Sequence, residues 1–94
     1  MWVLYLIQHT ITEQIYIGIT QNLARRLSEH NNQGKKFTTR INGEWVLIYA
    51  EAYRSKEDVV RREKRLKSHG SAKHELIKRI EKSLLEHKTG AGRS

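Results

Sequence analysis

The sequence predicts an α+β domain: a three-stranded antiparallel sheet with helices packed on it, in the order β-β-α-β-α-α. Three observations carry this. Two apolar runs near the N-terminus, residues 2–8 and 14–19, are joined by a short turn-like stretch, which makes the pair an antiparallel hairpin. A third apolar run follows at 44–53. The segments between and after these runs repeat their apolar residues at helical spacing, and three strands can bury one face only if helices cover it.

Residues 2–8, "WVLYLIQ", are rich in aliphatic and aromatic side chains and read as a buried strand. His9 to Glu13 turns the chain. The second strand carries the oddity "YIGIT", in which Gly18 interrupts a run that otherwise favours extended backbone. Glycine weakens a strand interior, so it marks a bulge, a bend or a close approach. Residues 21–32 read as a helix, with Thr20 or Asn22 as the oxygen that caps it. Ile19, Leu23 and Leu27 then face the sheet, and Arg26 and His30, four apart, share another edge.

Residues 31–43 form a polar loop that holds two Lys, one Arg and Phe37. Its Asn42-Gly43 pair is a hairpin signal, but the residues before it do not alternate, so no hairpin is assigned. The third strand is 44–53. Ser55 opens the second helix, with Asp58 as a shortened capping-box partner, and Gly70 is assigned as its C-terminal cap. Ser71 caps a last helix, which sets Ala72, Leu76, Ile77, Ile80 and Leu84 on one face. Residues 1–87 are read as a single domain and 88–94 as a disordered tail.

With 94 residues the chain has room for one domain and a thin core. It has no Cys, so disulfides, Cys-based zinc sites and thiol nucleophiles are excluded, in keeping with a reducing, cytoplasmic setting. No run is long enough for a membrane span, and residues 2–7 are too short for a signal segment, so no membrane partner is expected. Lys plus Arg number 18 against 10 Asp plus Glu, a net charge of +8. A domain this basic accumulates on polyanions, nucleic acid first.

Several polar residues have both a plain and a functional reading. Helical spacing from Val59 along the stripe with Val60 and Leu66 lands on Glu63. A carboxylate facing a core must be paired or hold a cation. Arg61, Arg62, Lys64, Arg65 and Lys67 surround it and offer the paired reading; a hard cation such as Mg²⁺ offers the other, since it often takes one carboxylate plus phosphates and waters. Arg26 is either a solvated helix residue or a bidentate phosphate clamp. Tyr5 and Tyr16 are either sheet aromatics or phenols that hold and deprotonate a water. His30 is a surface residue, a phosphate ligand or a proton shuttle.

Taken in order, these residues resemble the GIY-YIG nuclease superfamily, and in particular its small stand-alone members. The resemblance runs through "VLY" at 3–5, "YIG" at 16–18, "TQNLARRLSEHN" at 20–31 and "REKRLK" at 62–67, and spans residue 2 to about residue 80. It implies an α/β nuclease fold and hydrolysis of DNA phosphodiesters with one Mg²⁺ or Mn²⁺. Tyr5 and Tyr16 stand at the tyrosines of the two name-giving motifs, Arg26 at the catalytic arginine, His30 at a position usually His or Tyr, and Glu63 at the metal-binding glutamate. Lys67 stands where related members carry a basic residue. Thr38 and Thr39 fall where polar side chains often lie near the phosphate. The chain departs from the family's name at its first motif, which has Val3 in place of the glycine.

The implied mechanism is a single in-line attack. Either tyrosine takes a proton from water, Arg26 steadies the phosphorane, Mg²⁺ on Glu63 stabilises the leaving oxygen, and Lys67 favours the phenolate. Gly18 would let Tyr16, Tyr5 and Arg26 converge on one phosphate. A domain this short lacks the extra DNA-binding domain of larger relatives, so a protein partner supplying specificity is expected. The competing class is a non-catalytic nucleic-acid-binding module, with basic charge along 64–82 and stacking aromatics at Tyr49 and Tyr53.

Overall fold

A computed structural model of the protein describes residues 1–33 and 43–85. Its elements follow the order β1 (Trp2–His9), β2 (Ile15–Thr20), α1 (Leu23–Gln33), β3 (Trp45–Tyr53), α2 (Lys56–Ser68) and α3 (Gly70–Arg79), closed by a short 3₁₀ turn at Glu81–Ser83. The three strands form one antiparallel sheet in the order β2-β1-β3. This is the α+β architecture that the residue spacing predicts. Of the polar loop expected over 31–43, residues 31–33 are the end of α1, while 34–42, with Thr38 and Thr39, and the C-terminal stretch 86–94 lie outside the described residues.

The register sorts the side chains into two faces, because residues directly opposite each other in a sheet share a face. Leu4 pairs with Ile19 and Leu6 with Ile17 on one side, and with Glu51 and Tyr49 on the other. This face carries the core: Leu4, Leu6, Ile17 and Ile48 pack with Val59 and Leu66 of α2, Leu76 of α3 and Ile80. Burying each such side chain contributes about 1.5–3 kcal/mol. Between Leu6 and Ile7 the pairing with β3 skips one residue, and this bulge turns Ile48 into the core. The opposite face carries Tyr5, Tyr16 and Gly18, set side by side through Tyr5↔Gly18 and Ile7↔Tyr16.

Polar side chains anchor the ends of elements. Asn22 caps α1 by accepting from the Arg25 N–H at 3.0 Å, and Thr20 accepts from the Asn22 N–H at 3.0 Å, so both predicted capping residues take part. Ser55 caps α2 through the N–H groups of Glu57 and Asp58. The Asp58 carboxylate does not return to Ser55 but accepts from Arg61 at 3.3 Å. Buried Gln8 donates to the Glu13 carbonyl and accepts from the Leu85 N–H, which ties the chain beyond α3 back to β1.

Three local expectations are corrected. Gly70 is not a C-cap: His69 ends α2 and starts α3 in extended backbone, and Gly70 is already helical. The extended turn at His69 makes a left-handed glycine unnecessary. The last helix stops at Arg79, because Ile80 leaves helical geometry at φ −106° and ψ 25° and the chain tightens into the 3₁₀ turn. Val60 is exposed, so the buried stripe of α2 is Val59 and Leu66 alone. Among the described residues no helix is long and apolar enough to cross a membrane.

Candidate active site

The face of the sheet opposite the core is where the chemistry-bearing side chains meet. Tyr5 lies in the central strand and is almost fully buried, whereas Tyr16 lies on the edge strand β2 and is 37% exposed. Their rings sit 6.3 Å apart, centroid to centroid. Between them is Gly18. A Cβ built there would stand 2.6 Å from the Tyr5 hydroxyl, 2.7 Å from its Cζ and 3.0 Å from Cε2 of Tyr16. The glycine in the strand therefore makes room for two phenols, which is a close approach of side chains and not a bend or bulge of the strand.

Helix α1 lays its His30 edge over this pair. The Tyr5 hydroxyl and His30 Nε2 are 3.0 Å apart, and the His30 ring meets Tyr16 edge-on at 4.7 Å. Burial, followed by the charge of Arg26, lowers the pKa of His30, so the ring is neutral at neutral pH. Burial is also the largest influence on Tyr5, and it raises that phenol's pKa despite the opposing effect of Arg26. With the phenol protonated and the imidazole neutral, the Tyr5 hydroxyl and Nε2 share one hydrogen bond, and the tautomer of the ring sets which of them donates.

One turn back on α1, Arg26 projects toward the same phenols. Hydrogen bonding to Tyr5 is the largest of the influences that push its pKa further up, ahead of Glu29, whose carboxylate it meets at 3.0 Å; Tyr16 contributes least. The guanidinium keeps its charge and stays 40% exposed. It can thus turn its donors to an incoming anion.

From the other side, α2 contributes Glu63 and Lys67. They form an i,i+4 ion pair at 3.0 Å, and the same ammonium lies 5.9 Å from the centre of the Tyr16 ring. Glu63 is close enough to Tyr5 for its charge to help raise that phenol's pKa. Of the two readings its helix position allowed, the ion pair is seen, and the paired carboxylate stands at the cluster. The structure brings Tyr5, Tyr16, Gly18, Arg26, His30, Glu63 and Lys67 together; Thr38 and Thr39 lie outside the described residues.

Asn31, Trp45 and Glu51 support this arrangement without a role legible in the sequence, and Arg62, one of the bases flanking Glu63, turns to Glu51 instead. Asn31 accepts from the Trp45 N–H at 2.7 Å and donates to the Trp45 carbonyl at 3.2 Å, so the residue after His30 pairs with the first residue of β3 as a strand would. Trp45 in turn stands 6.3 Å from the His30 ring and 6.4 Å from that of Tyr16. On the core face, Arg62 grips Glu51 with two nitrogens, and the hydroxyls of Tyr49 and Tyr53 both donate to the same carboxylate at 2.5 Å. This locks α2 onto β3 one residue before Glu63. Tyr49 and Tyr53, the stacking aromatics of the competing binding-module reading, are partly buried against the core with both hydroxyls on Glu51. A period-two reading of "YAEAY" puts Tyr49, Glu51 and Tyr53 on one face and was the available signal; nothing in sequence linked that face to Arg62.

Among the described residues, no group of three or more His, Cys, Asp or Glu is placed to hold a metal. The site offers one carboxylate, Glu63, among phenols and cations. Its Oε2 meets Lys67, and it makes no other hydrogen bond or ion pair with the described residues. That donor set fits a hard divalent cation completed by waters and a phosphate, and it does not fit a cage of several protein ligands.

Residues 1–78 match the GIY-YIG catalytic domain. A UPF0213 protein of Desulfotalea psychrophila is 35% identical over 83 residues, covering 86% of this chain and 74% of that protein. A UPF0213 protein of Sodalis glossinidius is 31% identical over 87 residues, covering 93% and 80%. One from Natronomonas pharaonis is 38% identical over 66 residues, covering 69% and 76%. No solved structure matches the chain. The fold predicted from residue spacing, the two tyrosine motifs facing each other across Gly18, and a match that runs from the first strand to the last helix lead to one conclusion: the chain belongs to the GIY-YIG nuclease family.

Proposed function

We propose that this protein is an endonuclease that hydrolyses phosphodiester bonds in DNA with the help of one divalent cation, Mg²⁺ or Mn²⁺. The observation that carries the proposal is the convergence of a charged arginine, two phenols and a single carboxylate around Gly18, in a domain of net charge +8. Positive charge draws in the polyanion, and the cluster supplies what an in-line displacement at phosphorus needs.

Tyr16 is the general base in this mechanism. It is the exposed phenol, so water reaches it, whereas Tyr5 is closed off and held protonated by burial. Reacting as its phenolate, Tyr16 takes a proton from the water whose oxygen attacks phosphorus. Arg26 donates to the non-bridging oxygens and steadies the added negative charge of the phosphorane. Tyr5 hydrogen-bonds His30 and holds its ring against Tyr16. Glu63 would hold the cation, which when bound supplies Lewis-acid charge at the phosphate. The bond from phosphorus to the leaving oxygen breaks, that oxygen takes a proton from solvent, and the products are a phosphomonoester and a hydroxyl.

The test is cleavage of a labelled panel (supercoiled plasmid, single strands, forks, flaps and RNA) with Mg²⁺ or Mn²⁺, against EDTA and against Glu63→Gln. Metal-dependent cutting that Glu63→Gln abolishes while keeping its helical circular dichroism supports the proposal. Salt-sensitive binding with no cutting on any substrate would overturn it in favour of a non-catalytic binding module. Unfolding of Glu63→Gln would make Glu63 a structural ion-pair residue.

A further inference from the structure

Beside the cluster, between the edge strand β2 and the junction of α2 with α3, lies a hollow of about 250 Å³. Ile15, Ile17 and Leu66 line it with hydrocarbon, Tyr16 and Lys67 join it to the candidate active site, and Lys73 of α3 also borders it. We infer that this hollow is the subsite for the nucleotide next to the scissile phosphate, with Lys73 on that nucleotide's own phosphate.

The inference rests on the nuclease reading and adds to it where the strand runs. Continuity supports it: Tyr16 and Lys67 belong to both places, so a strand whose phosphate sits at Arg26 and Tyr16 has this hollow as an immediate neighbour. Charge supports it too. Lys67 already answers Glu63, but Lys73 makes no ion pair among the described residues, and an exposed ammonium facing a hollow selects an anion. The apolar side chains complement a sugar or a base face, which a free inorganic anion lacks. At this size the hollow takes one nucleoside unit and not a duplex, so the strand it accepts is locally unpaired there.

The test combines amide chemical shifts with binding, both in EDTA so that no cleavage is needed. A 5′-phosphorylated DNA dinucleotide is titrated into the isotope-labelled protein. A short labelled single strand is then titrated into wild type, Lys73→Ala and Lys78→Ala, the last altering an exposed lysine of α3 outside the hollow. The expected result is shifts at Ile15, Ile17 and Lys73, several-fold weaker binding by Lys73→Ala alone, and a salt slope shallower by about 1. Shifts that leave these residues unmoved, or equal losses in the two lysine variants, would overturn the inference. The two readings fail separately: cleavage with unmoved hollow residues rejects only the subsite, and hollow shifts without metal-dependent cleavage reject only the nuclease.

Discussion

The hydroxyl of Tyr5 occupies the space that a side chain at position 18 would take, with Cβ to Oη at 2.6 Å and Cβ to Cζ at 2.7 Å. Real Cβ atoms do not come that near, and Tyr5 sits in the central strand with 1% of its surface exposed, so its ring has nowhere to go. The glycine and the tyrosine are therefore one steric feature.

Gly18→Ala is expected to destabilise the domain by about 1–3 kcal/mol, the range for overpacking. It should also slow cleavage by displacing Tyr5 from His30. Urea unfolding measures the first effect. Tyr5→Phe should not rescue it, because the ring carbon Cζ is as close as the oxygen. Full rescue by Tyr5→Phe would mean that the hydroxyl alone sets the fit.

Arg26→Ala is expected to remove a transition-state contact of about 3 kcal/mol, on the order of 10²-fold in single-turnover cleavage rate. Its one ion-pair partner among the described residues, Glu29, is close to half exposed, so the unfolding midpoint should hardly move. Cleavage at the wild-type rate would discard the clamp.

His30 gives the protein a pH dependence with a definite sign. Its folded pKa lies below the ordinary 6.5 because burial, and then Arg26, disfavour the imidazolium. Between the folded and the ordinary pKa the unfolded chain binds more protons, so stability rises with pH across that window and falls on acidification below about 6.5. Urea midpoints at a series of pH values between about 5 and 7.5 should show a shallower acid loss for His30→Gln than for wild type. Parallel curves would mean that His30 does not titrate differently on folding.

Glu51 governs the more acidic range. Burial pushes its pKa up, but the hydrogen bonds from Arg62, Tyr49 and Tyr53 outweigh that and hold it below the ordinary carboxylate value. A depressed carboxyl stabilises the fold above its unfolded pKa, and that stabilisation is lost as pH falls through the folded one. Glu51→Gln leaves Arg62 without its counter-charge and is expected to cost about 2–4 kcal/mol near neutral pH. The difference from wild type should shrink as the solution is acidified below about pH 4. A difference that stays constant with pH would show that lost packing, not lost charge, causes the destabilisation.

The sequence by itself determined the element order, the hairpin and the core. Apolar residues at period two and at period 3.6 are local signals, and burying Leu4, Leu6, Val59 and Leu66 needs no partner of special geometry. It also flagged Gly18, because glycine inside a strand is a local anomaly. Most element ends were legible to within two residues, but the last helix, read through Leu84, stops at Arg79; Gly70 and Ser71 are as good at a cap as at a helix start, and only the extended backbone at His69 settled where α3 begins.

Tertiary structure alone decided which polar groups meet. Glu63 had five bases around it in sequence, and packing gave it Lys67 while turning Arg62 to Glu51 on the opposite side. Asn31 reads as an ordinary helix-end residue until β3 arrives to accept and donate at Trp45. The gap that Gly18 leaves has meaning only once the register sets Tyr5 opposite it. Pairing between polar side chains depends on distances of a few ångströms between distant parts of the chain, and no periodicity within one segment encodes them.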